Sequence, residues 1–168
     1  LCFFHDTDND DLYLFTLSEK FLAHQYLVTQ SNQEGLKLTE VRNLPVPAGA
    51  ETCATDDLTD TLFVAEEGVG IWAYNASPEA DLARSPVAMA EPFGALGKGP
   101  KGLDTIPGGI AAYELDNPFI HLIQATEDGY RHHSSVNLGQ DVAPDSITAT
   151  AGSDKVKAIV FDEISEQL

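Results

Sequence analysis

The chain is poor in basic side chains, and this shortage is the first constraint on its function. Nine Lys and Arg residues stand against 27 Asp and Glu, which gives a formal net charge of −18 at pH 7. Nucleic acids and anionic membranes are bound mainly by Lys and Arg side chains that neutralise phosphate. We therefore expect no nucleic acid or membrane partner, and the composition favours cations or basic proteins instead.

Cysteine and long apolar runs are also scarce. The two cysteines, Cys2 and Cys53, are too few to set a disulfide framework; they are able to pair, but we interpret them as small buried apolar side chains. No apolar run approaches about 18 residues, so no membrane-spanning helix is predicted. The chain starts at Leu1 with neither an initiator Met nor a signal peptide, which we interpret as a cut or processed N-terminus.

Apolar residues make up 43% of the chain, enough for a hydrophobic core. They occur in short runs such as "LYLFTL", "TLFVA", "GIWAY" and "KAIVFDE", which alternate with turn-forming clusters. A spacing of roughly 8–12 residues between such runs is typical of β-sandwiches, barrels and propellers. The sequence therefore predicts an all-β fold.

Three related segments indicate an internal repeat. They read "LCFFHDTDNDDLYLFTLSEKFLAHQYLV", "ETCATDDLTDTLFVAEEGVGIWAYNA" and "GLDTIPGGIAAYELDNPFIHLIQATEDGYRHHSSV". Leu12 aligns with Leu62, 50 positions on, and Leu62 aligns with Ile120, 58 positions on. In this alignment each unit has a first strand, an Asp-rich turn, an apolar second strand, an acidic turn and a third strand.

A repeat of about 50 residues with three or four strands is the size of a propeller blade. We predict a single β-propeller-like segment over residues 1–168, with blades at about 1–45, 46–95 and 96–140. Residues 141–168 are predicted to be part of a fourth blade or a linker. Such an incomplete ring leaves strand edges unpaired, so we expect it to pack on another propeller domain of the same protein or on a second copy.

The second unit carries a resemblance to a known family. "AETCATDDLTDTLFVAEEGVGIWAYNASPE" resembles the β-propeller phytase segment E-G-x-A-x-D-D-x-x-x-x-L-Y-I-A-E-E-D-x-x-I-W-K-Y, and the similarity extends over about residues 1–138. The resemblance implies a six-bladed propeller that uses calcium and a metal-activated water to hydrolyse inositol hexakisphosphate. We expect the protein to be secreted or periplasmic.

The resemblance also implies site residues. The acids of the family motif fall on Glu51 and Glu67, 16 residues apart, which are the predicted calcium ligands. Where the family has the two acids of D-I-E-G-L, this chain has Gly99 and Lys101 in "GPKGL". The family's phosphate-binding Lys falls on Glu19, or on Lys20 if the turn shifts by one residue. We expect Lys20 and Lys101 to contact the substrate, and no catalytic residue is assigned.

Four other motifs have simpler interpretations. "DTDNDD" at Asp6–Asp11 resembles an EF-hand opening but lacks its Gly and its final Glu, so a solvated hairpin tip is predicted. His132 and His133 are adjacent on a strand and should face apart, which disfavours a shared metal ion. "GKGPKG" lacks the residues of a P-loop and is interpreted as a flexible loop. Trp72 is predicted to pack within a blade.

Three functional hypotheses follow. The favoured one is a non-catalytic or degenerate segment of a calcium-dependent phytate phosphohydrolase, inactive as this chain alone. The first alternative is the catalytic portion of a 3-phytase whose remaining blades lie outside the 168 residues. The second alternative is a propeller used for protein–protein contact.

Overall fold

A computed structural model describes residues 1–18, 20–31, 35–114, 118–139, 144–151 and 156–162. These residues form β-strands and no helix, so none of the described elements is a helix able to cross a membrane. In chain order the strands are β1 (Cys2–Asp6), β2 (Asp11–Ser18), β3 (Leu22–Ser31), β4 (Gly35–Pro45), β5 (Ala50–Asp56), β6 (Thr61–Glu66), β7 (Gly70–Asn75), β8 (Arg84–Met89), β9 (Gly102–Ile106), β10 (Gly109–Tyr113), β11 (Phe119–Thr126), β12 (Gly129–Asn137), β13 (Pro144–Ala151) and β14 (Val156–Asp162).

The strands form three antiparallel four-stranded sheets and one two-stranded hairpin. Each sheet is a meander with the order β1-β2-β3-β4, β5-β6-β7-β8 or β9-β10-β11-β12, and β13 pairs with β14. The first strands of successive sheets contact one another, β1 with β5, β5 with β9 and β9 with β13. Radial meanders whose first strands meet around one axis are the architecture of a propeller. The predicted all-β, propeller-like fold with about three blades and part of a fourth is confirmed.

The repeat alignment is correct in the second sheet and wrong in the third. Leu12 and Leu62 both lie on second strands, but Ile120 lies on the third strand of its sheet, where it pairs with Tyr113. The second strand of that sheet is β10, which follows a Pro107-Gly108 turn rather than an Asp-rich one. The three sheets span residues 2–45, 50–89 and 102–137, while the predicted boundary at residue 140 lies outside the described residues.

The Asp-rich segments of the first two sheets are hairpin turns, as predicted. Asp6 accepts hydrogen bonds from the backbone N–H groups of Asp8 and Asn9, at 3.0 and 3.2 Å, and Asp56 accepts one from Leu58 at 3.0 Å. The two turns close with Asp10 and Asp60, whose backbones are in the left-handed region, which Asp tolerates better than most residues. Within the described ranges, no three His, Cys, Asp or Glu side chains are arranged to hold a metal ion.

Two hydrophobic clusters fill the spaces between sheets. The first joins the facing sides of the first two sheets and includes the fully buried Phe4, Phe15 and Leu62. The second joins the second and third sheets and includes Phe63 and Ile110, also almost completely buried. Because the second and third sheets bury both faces of their inner strands, the short strands β6 and β10 are nearly continuous apolar runs.

The two cysteines form a disulfide. Cys2 and Cys53 lie on the first strands of neighbouring sheets, 5.8 Å apart between Cα atoms, and their sulfurs are bonded. The interpretation of two unpaired apolar side chains is therefore wrong. The repeat places them on β1 and β5, and the propeller geometry brings these strands into contact around the axis.

Polar side chains also tie the first sheet to the second. Buried Gln25 donates to the carbonyl of Ala76 at 2.8 Å. Arg42, only 8% exposed, donates to the carbonyls of Asn75 and Ser77, at 2.9 and 2.7 Å, and to that of Asp81. Arg42 thus orders the loop between β7 and β8 without any carboxylate partner among these contacts.

Candidate metal and phosphate site

Two loops of the second sheet bring Glu51 and Glu67 to one rim. Glu51 lies at a bulge near the start of β5, between the paired residues Ala50 and Thr52. Glu67 follows β6, and its backbone N–H donates to the carbonyl of Gly49 at 2.7 Å. The hairpin therefore places both carboxylates at the end of the sheet where β5 begins and β6 ends.

Lys101 joins these carboxylates from the neighbouring sheet. It precedes β9, and its backbone N–H donates to the carbonyl of Tyr113 at 2.9 Å. Its Nζ lies 2.9 Å from Glu67 Oε1 and 3.5 Å from Glu51 Oε1. The hydrogen bond to Glu67, reinforced by the nearby charge of Glu51, raises the pKa of Lys101 above its usual range. One ammonium group therefore occupies the space between the two carboxylates.

Gly99 lets the loop before Lys101 approach the turn that carries Glu67. The backbone N–H of Gly68 donates to the carbonyl of Lys98 at 2.8 Å. Gly99 has φ +97°, and a Cβ there would lie 2.8 Å from Gly68 N and 3.2 Å from Glu66 O. A side chain at position 99 would require the 66–68 turn to move, so an aspartate cannot stand there in the present backbone.

Glu66 is held away from this cluster. Its Oε2 accepts a hydrogen bond from Trp72 Nε1 at 2.7 Å, and Arg84 lies over the Trp72 ring at 4.0 Å from its centroid. The predicted packing role of Trp72 agrees with its contact with the first hydrophobic cluster. The hydrogen bond between Trp72 and Glu66 was not predicted from the sequence, although the register of β6 and β7 makes the two residues diagonal neighbours.

Lys20, the second lysine that was predicted to contact phosphate, lies apart from Lys101. Lys20 is exposed in the turn between β2 and β3, where the carbonyl of Phe21 accepts from Val46 N–H at 3.0 Å. That bond brings the turn to the rim that carries Glu51. No hydrogen bond or ion pair links the Lys20 side chain to Glu51, Glu67 or Lys101 within the described residues. Glu19, the other position considered for this lysine, lies outside the described residues.

The cluster as arranged does not fit a calcium ion. Calcium takes 6–8 oxygen ligands, whereas this position offers two carboxylates and a competing positive charge. The cationic side chain already neutralises part of the repulsion between Glu51 and Glu67. Calcium binding stays a prediction, and we derive no chemical step that passes through the ion.

Comparison with known proteins identifies the family. The family model described as "Phytase" matches residues 1–96, more than half of the chain. The chain belongs to the phytase family. A solved structure described as "Structure of U3-55K" is similar over 96% of this phytase-family chain with 13% identity and a TM-score of 0.59. The chain covers 51% of that structure, so it spans about half its length, and the likeness concerns the fold alone. No curated protein matches the chain.

Proposed function

We propose that this chain is a propeller segment of the phytase family that is non-catalytic toward phytate, derived from a calcium-dependent phytate phosphohydrolase. The observation that carries the proposal is the position of Lys101 Nζ, 2.9 Å from Glu67 and 3.5 Å from Glu51. A fixed ammonium balances the two carboxylates as a bound cation would. Unlike a metal ion, it has no open coordination position for a water or a phosphate oxygen.

The neighbouring residues support a degenerate site. Restoring the two acids that the family carries in D-I-E-G-L would require side chains at Gly99 and Lys101. Position 99 has no room for a side chain beside the 66–68 turn, whereas Lys101 already points at the two glutamates. A single substitution, Lys101→Glu, is therefore the change by which this rim most nearly regains the family's acids.

We extend the proposal to inositol phosphate binding. Lys101 Nζ already forms ion pairs with two carboxylates, so we expect it to bind phosphate weakly. Lys20 is exposed at the same rim, with no such partner among the described residues, and is the better candidate for phosphate contact. In a chain with a net charge of −18, one lysine supports weak binding at most.

We also propose that the chain packs on a propeller partner and is secreted or periplasmic. Three four-stranded sheets and one hairpin span about half of the similar solved structure, which supports packing on a further propeller domain of the same protein or on a second copy. The disulfide between Cys2 and Cys53 supports a secreted or periplasmic location, since disulfides persist in oxidising compartments.

Calorimetric titration with calcium, with and without inositol hexakisphosphate, tests the proposal. The proteins are the wild type, the double variant Glu51→Ala/Glu67→Ala, and Lys101→Glu alone and combined with that double variant. Release of inorganic phosphate from inositol hexakisphosphate is measured in parallel. Lys37→Glu is the matched charge control, because Lys37 is exposed on β4, the outermost strand of the first sheet.

We expect the wild type and the double-alanine variant to give the same small heats and no phosphate release. Lys101→Glu should bind calcium at least about tenfold more tightly, a gain that the double-alanine background removes, because three carboxylates attract a divalent ion more than two with a lysine. Tight calcium binding by the wild type that disappears in the double variant would restore the calcium prediction and overturn the degenerate assignment.

A further inference from the structure

Four polar side chains form a separate cluster on the third sheet, defined here as the His–Ser cluster: Glu114, His121, His132 and Ser135. His121 on β11 pairs with Ala112 on β10 and with Ser135 on β12, so all three side chains project from one face of the sheet. Ala112 belongs to the hydrophobic cluster that separates the second and third sheets. The His–Ser cluster therefore lies at the edge of a packed interface.

A β-bulge brings His132 into this cluster. Strand pairing shifts between Leu122 and Ile123, so His132 pairs with Ile123 and His133 is the extra residue. An extra residue reverses the alternation of side chains beyond it. His132 therefore lies on the same face as His121, and adjacent His133 remains exposed.

His121, His132 and Ser135 lie within hydrogen-bond distance of one another. Ser135 Oγ lies 3.0 Å from His121 Nδ1 and 2.9 Å from His132 Nε2, and the two ring nitrogens are 3.2 Å apart. Burial, followed by the electrostatic influence of the neighbouring imidazoles His121 and His133, lowers the pKa of His132 below its usual range. In the tautomer that carries its proton on Nε2, His132 donates to Ser135 Oγ, and the Ser135 hydroxyl is then free to donate to His121 Nδ1.

Glu114 completes the arrangement from inside the protein. Its side chain is 1% exposed, and neither carboxylate oxygen has a hydrogen-bond partner within the part of the chain that the structure describes. His121 Nε2 lies 3.6 Å from Glu114 Oε1, and His121 is itself only 4% exposed. A buried carboxylate without hydrogen bonds is costly, so its alignment with this imidazole is the feature that requires a function.

We propose that Ser135 is a nucleophile toward small carboxylic esters, with His121 as its general base and Glu114 as the residue that positions His121. A nucleophile within hydrogen-bond reach of a base, and a base oriented by a third group, is the geometric signature of an activated serine. The exposed hydroxyl of Ser135 is accessible, while the base and the carboxylate are shielded from water.

The reaction balances with these groups alone. Ser135 Oγ forms a bond to the ester carbonyl carbon, and its proton passes to His121 Nδ1. The bond from the carbonyl carbon to the alkoxide oxygen then breaks, and the alkoxide leaves with the proton from His121. Water, deprotonated in turn by His121, hydrolyses the acyl-serine and returns Ser135 to its starting state.

Labelling of the full chain by a biotinylated fluorophosphonate tests the proposal. In this reaction Ser135 Oγ bonds to phosphorus, fluoride leaves, and the hydroxyl proton passes to His121. Peptide mass spectrometry locates the label, and its rate is followed from pH 5 to pH 9. The variants are Ser135→Ala, His121→Gln and Glu114→Gln. Two matched controls are Ser134→Ala, adjacent but facing the other side of β12, and His133→Gln, the extra residue of the bulge.

We expect label on Ser135, none above background in Ser135→Ala, and a rate lower by on the order of 100-fold in His121→Gln. Glu114→Gln should slow labelling and move the rising limb of its pH profile to lower pH, because removing a nearby negative charge favours the neutral imidazole. The two controls should label at the wild-type rate.

Labelling that is absent, that occurs equally on Ser134, or that is unchanged by His121→Gln overturns the proposal and leaves the cluster as a structural hydrogen-bond network. Circular dichroism checks that each variant is folded. A Glu114→Gln variant that does not fold removes only the positioning assignment, because the Ser135 and His121 results decide the nucleophile independently.

Discussion

Apolar packing joins both pairs of neighbouring sheets, but the first and second sheets are also joined by a covalent bond and by buried and part-buried polar bonds, whereas the second and third add mainly charge at the rim. The first junction holds the Cys2–Cys53 disulfide and the carbonyl contacts of Gln25 and Arg42. The second junction holds an apolar cluster, a hydrogen bond from Thr105 to the carbonyl of Thr55 and the Lys101 ion pairs.

This difference indicates where the fold tolerates a change of function. Buried polar bonds are geometrically demanding, and losing one partner leaves the other unsatisfied. Ion pairs at a rim are weaker and more easily exchanged. Lys101 and the two glutamates lie at the second junction, where we expect a charged side chain to be exchanged without disturbing a buried network.

The largest expected effect tests the covalent part of the first junction. Replacing both cysteines by serine, Cys2→Ser with Cys53→Ser, should lower the free energy of unfolding by about 4 kcal/mol, because the bond closes a loop with a sequence separation of 51. Urea unfolding measures the loss. Amide exchange should accelerate more in β1 than in β10. Equally faster amide exchange in both strands would show that the two junctions are not independent. As a control, dithiothreitol should not change the stability of the double variant.

A smaller effect tests the polar part of the first junction. Arg42→Lys keeps the charge but cannot reach the carbonyls of Asn75, Ser77 and Asp81 from one ammonium group. We expect a loss of about 2–3 kcal/mol by urea unfolding, since charge-assisted hydrogen bonds to these part-buried carbonyls are lost. Arg131→Lys, on the exposed strand β12, is the control and should change stability little. A loss no greater than that of the control would mean that this loop is held by other contacts.

The smallest effect is expected at the second junction. Lys101→Met should cost about 1 kcal/mol at pH 7, because Glu51 and Glu67 then lose the ammonium group that lies between them. The folded-state pKa of Lys101 lies above its ordinary value of 10.5, so its contribution is complete below that pH and is lost as pH rises through the folded-state pKa.

Thermal unfolding from pH 7 to pH 12 measures this contribution. The wild type should lose its advantage over Lys101→Met at the alkaline end, whereas Lys37→Met, an exposed lysine on β4, should track the wild type throughout. A constant difference between wild type and Lys101→Met up to pH 12 would contradict the ion-pair explanation.

The strands and the general fold were predictable from the sequence, because apolar runs and Asp turns recur at blade length. The repeat alignment was wrong by one strand in the third sheet, because the first turn of that sheet, at Pro107-Gly108, lacks aspartate. The alignment with phytases brought Glu51, Glu67 and Lys101 into consideration, and the structure places them together.

The His–Ser cluster was not predictable from the rule of alternating side chains. His132 and Ser135 are three residues apart, and on a regular strand such residues face opposite sides. The bulge at the Leu122/Ile123 step reverses that relation, and strand periodicity carries no sign of it. The disulfide was missed for a similar reason, because pairing across blades depends on how sheets are arranged around the axis.

Gly99 limits which substitutions the loop before β9 accepts. Its φ of +97° and its close approach to Gly68 and Glu66 leave no space for a side chain. We expect any side chain at position 99, aspartate included, to be accepted only together with a rebuilt turn at residues 66–68. Positions on the two facing loops should therefore change in concert rather than one at a time.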